Sequence, residues 1–418
     1  MKYSRIFALM ALAGIATGAQ ATNGYFAHGY GMKAKGMAGA STASSDDAFG
    51  GANNPASMAF AGNRFDLGVD LFSPRREASR TGGAINGTSD SDSNYFLIPE
   101  IGYNKMIGAN MAFGVTIYGN GGMNTNYKPV LGTTNLLGGT GNLGVDLMQL
   151  IVAPTVAFKI APNHSIGISP LLGYQRFKAE GMQGFGVMNA SGGNLGYDSS
   201  YGYGLRVGYL GKLTPTVSIG AAYATKMRFG EFDKYAKLFA EQGDFDIPAN
   251  YNVGISWQAA PAVKLALDYQ RINFSEINAV GNSVNNFFLG RPLGADNGPG
   301  FGWDDVNVWK LGVEYKWSPK MTLRAGYSHT NNPIKGDATC ATLGENCGEV
   351  TFNILAPAVI RNHVTLGFTH TMATGNELTV AYMHGFKNDV SGADPFFGGQ
   401  DKIQMYQNSL GIQYSWKM

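Results

Sequence analysis

A chain of 418 residues with 44% hydrophobic but only 14% charged residues sits well below the charged fraction of soluble domains, about 25%. Its 59 glycines lack the three-residue period of collagen, and 24 Phe and 21 Tyr exclude a generic disordered chain. A net charge of +2 gives no basis for nucleic-acid binding or for electrostatic steering of a charged partner.

Residues 1–21 carry Lys2 and Arg5, an apolar stretch from Ile6 to Ile15, and an Ala19-Gln20-Ala21 end. This pattern predicts a signal peptide cleaved after Ala21, with an apolar core too short to anchor in a membrane. Removing two basic residues leaves 29 against 29 acidic ones, so the mature chain is near neutral.

Residues 22–63 show little strand alternation. Glycines at 24, 29, 31, 36, 39, 50 and 51 allow sharp backbone paths, and Asn53-Asn54-Pro55 signals a turn. Seven large apolar residues, from Phe26 to Phe60, argue against a loose tail. The segment is too small for a core of its own, so a compact plug packed inside a larger wall is expected.

From residue 64 onward a period of two recurs. Trp309, Leu311, Val313, Tyr315 and Trp317 alternate with Lys310, Gly312, Glu314 and Lys316. The terminal run from Leu410 to Met418 does the same, with Ser409, Gly411, Gln413, Ser415 and Lys417 on the other face. One face is apolar and often ends in Tyr or Trp, as at a membrane interface; the other is small or polar. After residue 21 no apolar run is long enough for a helical span, so the remaining membrane solution is a closed barrel.

Fourteen strands are predicted, near 64–73, 95–105, 109–118, 148–160, 164–177, 201–211, 215–228, 250–259, 262–274, 305–317, 320–329, 361–372, 376–386 and 404–418. The count is even, and short turns alternate with long segments, as periplasmic turns and external loops do in bacterial barrels. The fold class is therefore all-β: a 14-stranded antiparallel transmembrane barrel over 64–418 with an N-terminal hatch, 22–63, in its lumen. Within one long loop, Phe232, Tyr235, Leu238 and Phe239 have helical spacing, which predicts a helix on the rim over 231–243, bordering an external groove for a greasy ligand. Cys340 and Cys347 lie close in a polar loop and predict a local disulfide rather than a metal site.

Three stretches carry a family resemblance: NGYFAHGYGMKAKGMAGAS from Asn23, DDAFGGANNPASM from Asp46, and FNILAPAVIRNHVTLGF from Phe352. The chain resembles the FadL/TodX (OmpP1) family of outer-membrane transporters for hydrophobic molecules. The resemblance implies passive, non-enzymatic transport, no cofactor, cargo capture from outside, and lateral exit through a kinked strand near the hatch. It implies long-chain fatty acids, or aromatic and aliphatic hydrocarbons, as cargo; outer-membrane lipids and the barrel assembly machinery as partners; and a monomer. The matching kinked strand is 109–118, where Gly108, Gly114 and Gly119 permit a bend or a break in pairing. The chain departs from many such barrels by ending in Trp416-Lys417-Met418 rather than Phe, a variant of the assembly signal.

Candidate apolar ligand contacts are Phe26, Tyr30, Met32, Met37 and Phe60 of the hatch. A fatty-acid carboxylate also needs a cation, because burying it unpaired is costly. Lumen-phase bases are Lys159, Arg206, Lys310, Lys316 and Arg324; Arg206 and Arg324 lie deepest in their strands and are the ones expected to reach ligand, which favours fatty acids as cargo. Asn54, Pro55, Ala56 and Gly114 are the expected gating positions. The six histidines form no catalytic motif, and Ser328 and His329, being adjacent, point to opposite faces. A polar-solute porin would need an open lumen with many charged wall residues and no plug.

Overall fold

The computed structural model describes residues 23–337, 340 and 347–418; the expected signal peptide and Thr22 lie outside them. The terminal strand shows how the alternation is used. Leu410 is 54% exposed and Ile412 47%, whereas Ser409, Gln413 and Ser415 are buried. The apolar face points outward, the reverse of a soluble sheet, and the polar face lines the interior.

Sixteen strands pair in one sheet, and two of them, Gly87–Asp90 and Arg228–Phe229, are short extensions at its edge. The other fourteen form the wall. They are β1 (Arg64–Thr81), β2 (Phe96–Ile107), β3 (Met111–Asn124), β4 (Gly144–Ala161) and β5 (His164–Glu180). Next come β6 (Asp198–Lys212), β7 (Val217–Ala224), β8 (Asn250–Ala260) and β9 (Val263–Ile272). The last are β10 (Val306–Ser318), β11 (Met321–Thr330), β12 (Asn362–Thr371), β13 (Glu377–Ala393) and β14 (Gln400–Lys417). Each pairs antiparallel with its sequence neighbour, and β14 closes on β1 from Arg64↔Lys417 to Thr81↔Gln400. The cylinder is thereby closed, and its backbone groups are paired between neighbouring strands except where the β2–β3 ladder stops at Ile101↔Ile117.

Three expectations are corrected. β1, β13 and β14 run further than the membrane face requires, because above it they stay hydrogen-bonded to one another as far as Thr81, Ala393 and Gln400. The strand expected over 215–228 is split. After Ala224 the chain dips inward, where Met227 is buried and bridges Ile247, and Arg228–Phe229 rejoins β6 opposite Gly202 and Tyr203. The helix expected over 231–243 is not regular. Only Asp233–Tyr235 and Ala240–Gly243 form turns, and Glu241 and Gln242 have φ of 57° and 54°. Their N–H groups donate to Ala295 O and Gly294 O of the next loop, so tertiary bonds replace the helical ones. Phe232, Tyr235, Leu238 and Phe239 are nonetheless all buried, which is what their spacing encoded. Cys340 and Cys347 are joined by a disulfide.

Candidate functional site: a plugged lumen beneath an apolar chamber

Residues 23–63 lie inside the wall, and the lumen-facing glycines explain how. A Cβ on Gly411 would lie 2.1 Å from Met32 Sδ, and one on Gly312 would lie 2.7 Å from Met37 Cβ. Met32 and Met37 are thus knobs seated on glycines of β14 and β10, and neither joins the apolar chamber described below.

The base of the plug is ionic. In the turn Met32–Lys35, Lys35 Nζ sits 2.8 Å from both Asp70 of β1 and Glu100 of β2. Burial alone would lower the Lys35 pKa, but the two carboxylates outweigh it and raise it. Lys33 Nζ pairs with Glu377 at 2.7 Å, and Gly31 N–H donates to Glu100. Across the barrel, Asp268 accepts from Ser41 N, Thr42 N and the Thr42 hydroxyl. Burial, then Asp66, pushes the Asp47 carboxyl up to about 6.

Asn54, Pro55 and Ala56 form one device. Asn54 Nδ2 donates to Thr42 O at 2.8 Å and to Tyr209 O of β6 at 2.9 Å, while its Oδ1 accepts from Ala56 N. Pro55 starts the short 3-10 helix Pro55–Phe60, where a missing N–H is harmless. Phe60 ends it, beneath the ammonium groups of Lys159 and Lys212. A Cβ on Gly114 of β3 would lie 2.0 Å from Met58 Cε of this helix, so Gly114 serves close packing. It stands in an unbroken ladder, opposite Asn104 and Thr155.

The break in pairing falls further along β3. The β2–β3 ladder runs from Ile107↔Met111 to Ile101↔Ile117 and stops. β2 continues beside β1 to Phe96, and β3 continues beside β4 to Asn124 with a register shift between Gly119 and Gly121. This leaves a seam in the wall. From inside, the plug covers it: Ala27 N donates to Asn120 O and Gly122 N to Tyr25 O, each at 3.2 Å. Phe26 bridges Gly121, where a Cβ would lie 1.6 Å from Tyr25 O.

The top of the plug is apolar. Tyr25 packs on Phe274, Phe245 and Trp303, Phe26 packs edge-on against Phe274, and Tyr30 packs edge-on against Tyr118. These rings belong to a single apolar cluster that continues upward into the external loops. There, Phe177, Leu238, Phe239, Leu293, Phe301 and Phe352 help to line a narrow chamber of about 20 Å³. No lining residue of this chamber is titratable. The room present is about that of one water, so a ligand enters only as the side chains part.

A second cavity, also about 20 Å³, lies against the plug between Phe26, Tyr30, Thr42, Asn252, Gln270, Lys310 and Arg206. Arg206 meets Asn53 O at 3.5 Å and has no carboxylate within ion-pair distance among the described residues. Lys310 Nζ is held by His28 O at 3.3 Å. Arg324 is placed differently: it pairs with Glu314 at 2.7 Å and donates to Thr369, next to the plug base and away from both cavities. Lys316 keeps the luminal phase of Glu314 but is exposed at the end of its strand. A cleft of about 530 Å³ opens beside the short turns at residues 163 and 212–216 and is bordered by Asp46, Lys212, Lys264 and several Ser and Thr, a poor match for a greasy ligand. Ser328 pairs with His363 at 3.2 Å, and Gln407 meets the other ring nitrogen, all buried in a hydrogen-bonded network. Sequence reading missed His363 because adjacency along β11, not pairing across to β12, was the visible cue. Among the described residues no group of three His, Cys, Asp or Glu side chains is placed to hold a metal ion.

A closed barrel with an apolar exterior, an ion-paired internal plug and an aromatic chamber above it defines a plugged outer-membrane channel. The family model described as outer membrane protein transport protein (OMPP1/FadL/TodX) matches residues 10–393, and the chain belongs to this family. No curated protein matches it. Among solved structures it is similar to the Pseudomonas putida toluene transporter TodX, at 17% identity and a TM-score of 0.68, covering 94% of this chain and 99% of that one. A FadL homologue of Pseudomonas aeruginosa matches at 14% identity and a TM-score of 0.72, over 94% and 99% of the two chains. The Ralstonia pickettii toluene transporter TbuX matches at 17% and 0.64, over the same shares. The protein is an outer-membrane transporter, and at the level of the family its activity is the passive movement of hydrophobic small molecules through the barrel.

Proposed function

We propose that this barrel carries uncharged hydrocarbons, aromatic ones foremost, rather than long-chain fatty acids. The observation that carries the reading is the external chamber: its lining is aromatic and aliphatic and holds no cation for a carboxylate. The two solved toluene transporters of similar fold support it. Cargo enters between Phe239, Phe301 and Phe352, follows the apolar cluster down to Tyr25 and Phe26, and leaves sideways through the seam between β2 and β3 once the 25–27 segment lets go of Gly121. Along the chamber and the apolar cluster the contacts are by dispersion and apolar burial, and at the seam a few backbone bonds hold the plug, so passage follows the cargo's own gradient.

A second reading rests on the polar cavity beside the plug, where Arg206 and Lys310 offer cations near Tyr30. There a fatty-acid carboxylate would find charge. The two readings separate by binding of toluene, hexadecane and oleate to the purified, detergent-folded protein, with and without Arg206→Gln. Saturable toluene binding indifferent to Arg206→Gln supports the hydrocarbon reading. Saturable oleate binding lost in Arg206→Gln would replace it with fatty-acid transport. Binding of none of them, with large steady ion conductance in planar bilayers, would make the protein a polar-solute porin.

A further inference from the structure

The lipid-facing rim beside the β14–β1 closure carries cations that transport does not use. The outward face of β1 runs Leu71, Ser73, Arg75, so Arg75 stands just above the apolar band on the side of the long loops. Tyr406 lies directly opposite it on β14. Lys387 occupies the register shift of β13 between Gly385 and Asn388. Arg361 immediately precedes β12 and is exposed, at the loop end of the strand that neighbours β13. At and below their level stand the exposed rings of an aromatic row: Tyr406 and Phe386 beside Arg75 and Lys387, Tyr327 one step lower, and Tyr382 in register with Leu366 and Leu410, with Tyr95 against Arg75. Leu366, Leu410 and Leu71, level with Tyr382, face the hydrocarbon.

These three cations differ from others near the rim. Lys402 pairs with Asp389, Lys335 with Asp304 and Lys128 with Asp92. Arg75, Arg361 and Lys387 have no carboxylate within ion-pair distance among the described residues; Arg75 instead lies over the Tyr95 ring at 4.9 Å and donates to its hydroxyl. A cleft of about 360 Å³ opens between Arg75, Lys387, Gln404 and Tyr406. Glu77 and Asp90, in register with each other, bound it on its loop side. The cations therefore lie on the side of the cleft nearest the membrane and the carboxylates on the side away from it.

We propose that Arg75, Lys387 and Arg361 form a binding site for the phosphorylated headgroup of an outer-leaflet lipid, whose acyl chains lie on the apolar band below. From β12 to β1 there are three strand spacings, roughly 14 Å. That span exceeds one phosphate and suits a headgroup bearing two. The aromatic row fits the level of the headgroup–acyl boundary, where amphipathic rings sit. Charge complementarity and continuity with the lipid-facing band select a lipid over a free anion.

The test uses the detergent-folded full chain, titrated with bisphosphorylated lipid A, with its dephosphorylated form and with inorganic phosphate, and read by native mass spectrometry. The bisphosphorylated lipid is expected to bind, the dephosphorylated one to bind far more weakly, and inorganic phosphate not to displace it. Combining Arg75→Gln, Arg361→Gln and Lys387→Gln is expected to weaken lipid binding by about a hundredfold while toluene binding is unchanged. Equal binding of the two lipids, displacement by inorganic phosphate, or unaltered affinity in the triple variant would overturn the proposal. Should the triple variant not fold, salt decides: affinity of the unmutated chain must fall as ionic strength rises, and a salt-independent affinity would overturn the site.

Discussion

The two halves of the plug are held by different physics. At the base, Lys35 lies between Asp70 and Glu100, and Lys33 meets Glu377, all buried. At the top, Tyr25, Phe26 and Tyr30 are held by ring packing and by a few backbone bonds to β3. Separating a buried ion pair strands charge in a low dielectric, which is strongly opposed. Sliding one ring past another exchanges contacts of similar strength, and an apolar ligand can replace those that are lost. On the proposed route the segment at the seam is therefore expected to yield first, with the ion-paired base as the fixed end.

The largest expected effect is at the base. Lys35→Met leaves Asp70 and Glu100 facing each other without a cation, at a cost of about 3–5 kcal/mol. Hydrogen exchange should then rise through residues 31–48; unchanged protection there would show that the base is not the anchor. Next is Phe274→Ala, which removes the ring packed against Tyr25, Phe26 and Trp303 and costs about 3 kcal/mol. It should loosen residues 25–27 and leave the base protected, and loss of protection at both ends together would erase the distinction. Gly121→Ala drives a methyl into Tyr25 O and should cost about 1–3 kcal/mol, freeing the same segment and raising hydrocarbon uptake by proteoliposomes. Uptake that falls instead would mean that the seam is not the exit.

The smallest effect is a titration. Asp47 has a folded pKa of about 6 against an ordinary 3.8, so its ionised form opposes folding. Its contribution to stability is greatest below about pH 4 and is lost as pH rises through 6. His28 works the other way: burial, then Lys35, lowers its pKa, so acidification below 6.5 favours the released plug. Asp47→Asn keeps the His28 response and removes the other. It should be more stable than the unmutated chain by about 1 kcal/mol at pH 7, with the difference vanishing near pH 4, as read by thermal unfolding. A difference that persists at pH 4 would assign the gain to something other than the Asp47 charge.

Much of the wall was legible because a strand's two faces answer to two solvents. Leu410 and Ile412 meet lipid and Ser409 and Ser415 meet the lumen, and that contrast is written at every second residue. The plug was legible as a segment, since its rings and glycines fit neither a strand nor a disordered tail. Its seat was not. Nothing local in the sequence links Lys35 to Asp70 and Glu100, and Gly114, chosen as a point of weakness, proved to be a socket for Met58. The same limit applies to Arg206 and Arg324. Both read as lumen-facing cations, yet Glu314 claims Arg324 while Arg206 faces an open polar cavity.

Short-range periodicity and composition encode the barrel, its strand number, the alternation of short turns with long loops and the presence of a plug. Only the closed barrel shows where the β2–β3 ladder stops, which cations are already paired, and that an aromatic chamber sits above the plug. Those depend on residues brought together from opposite sides of a closed cylinder, which no local pattern records.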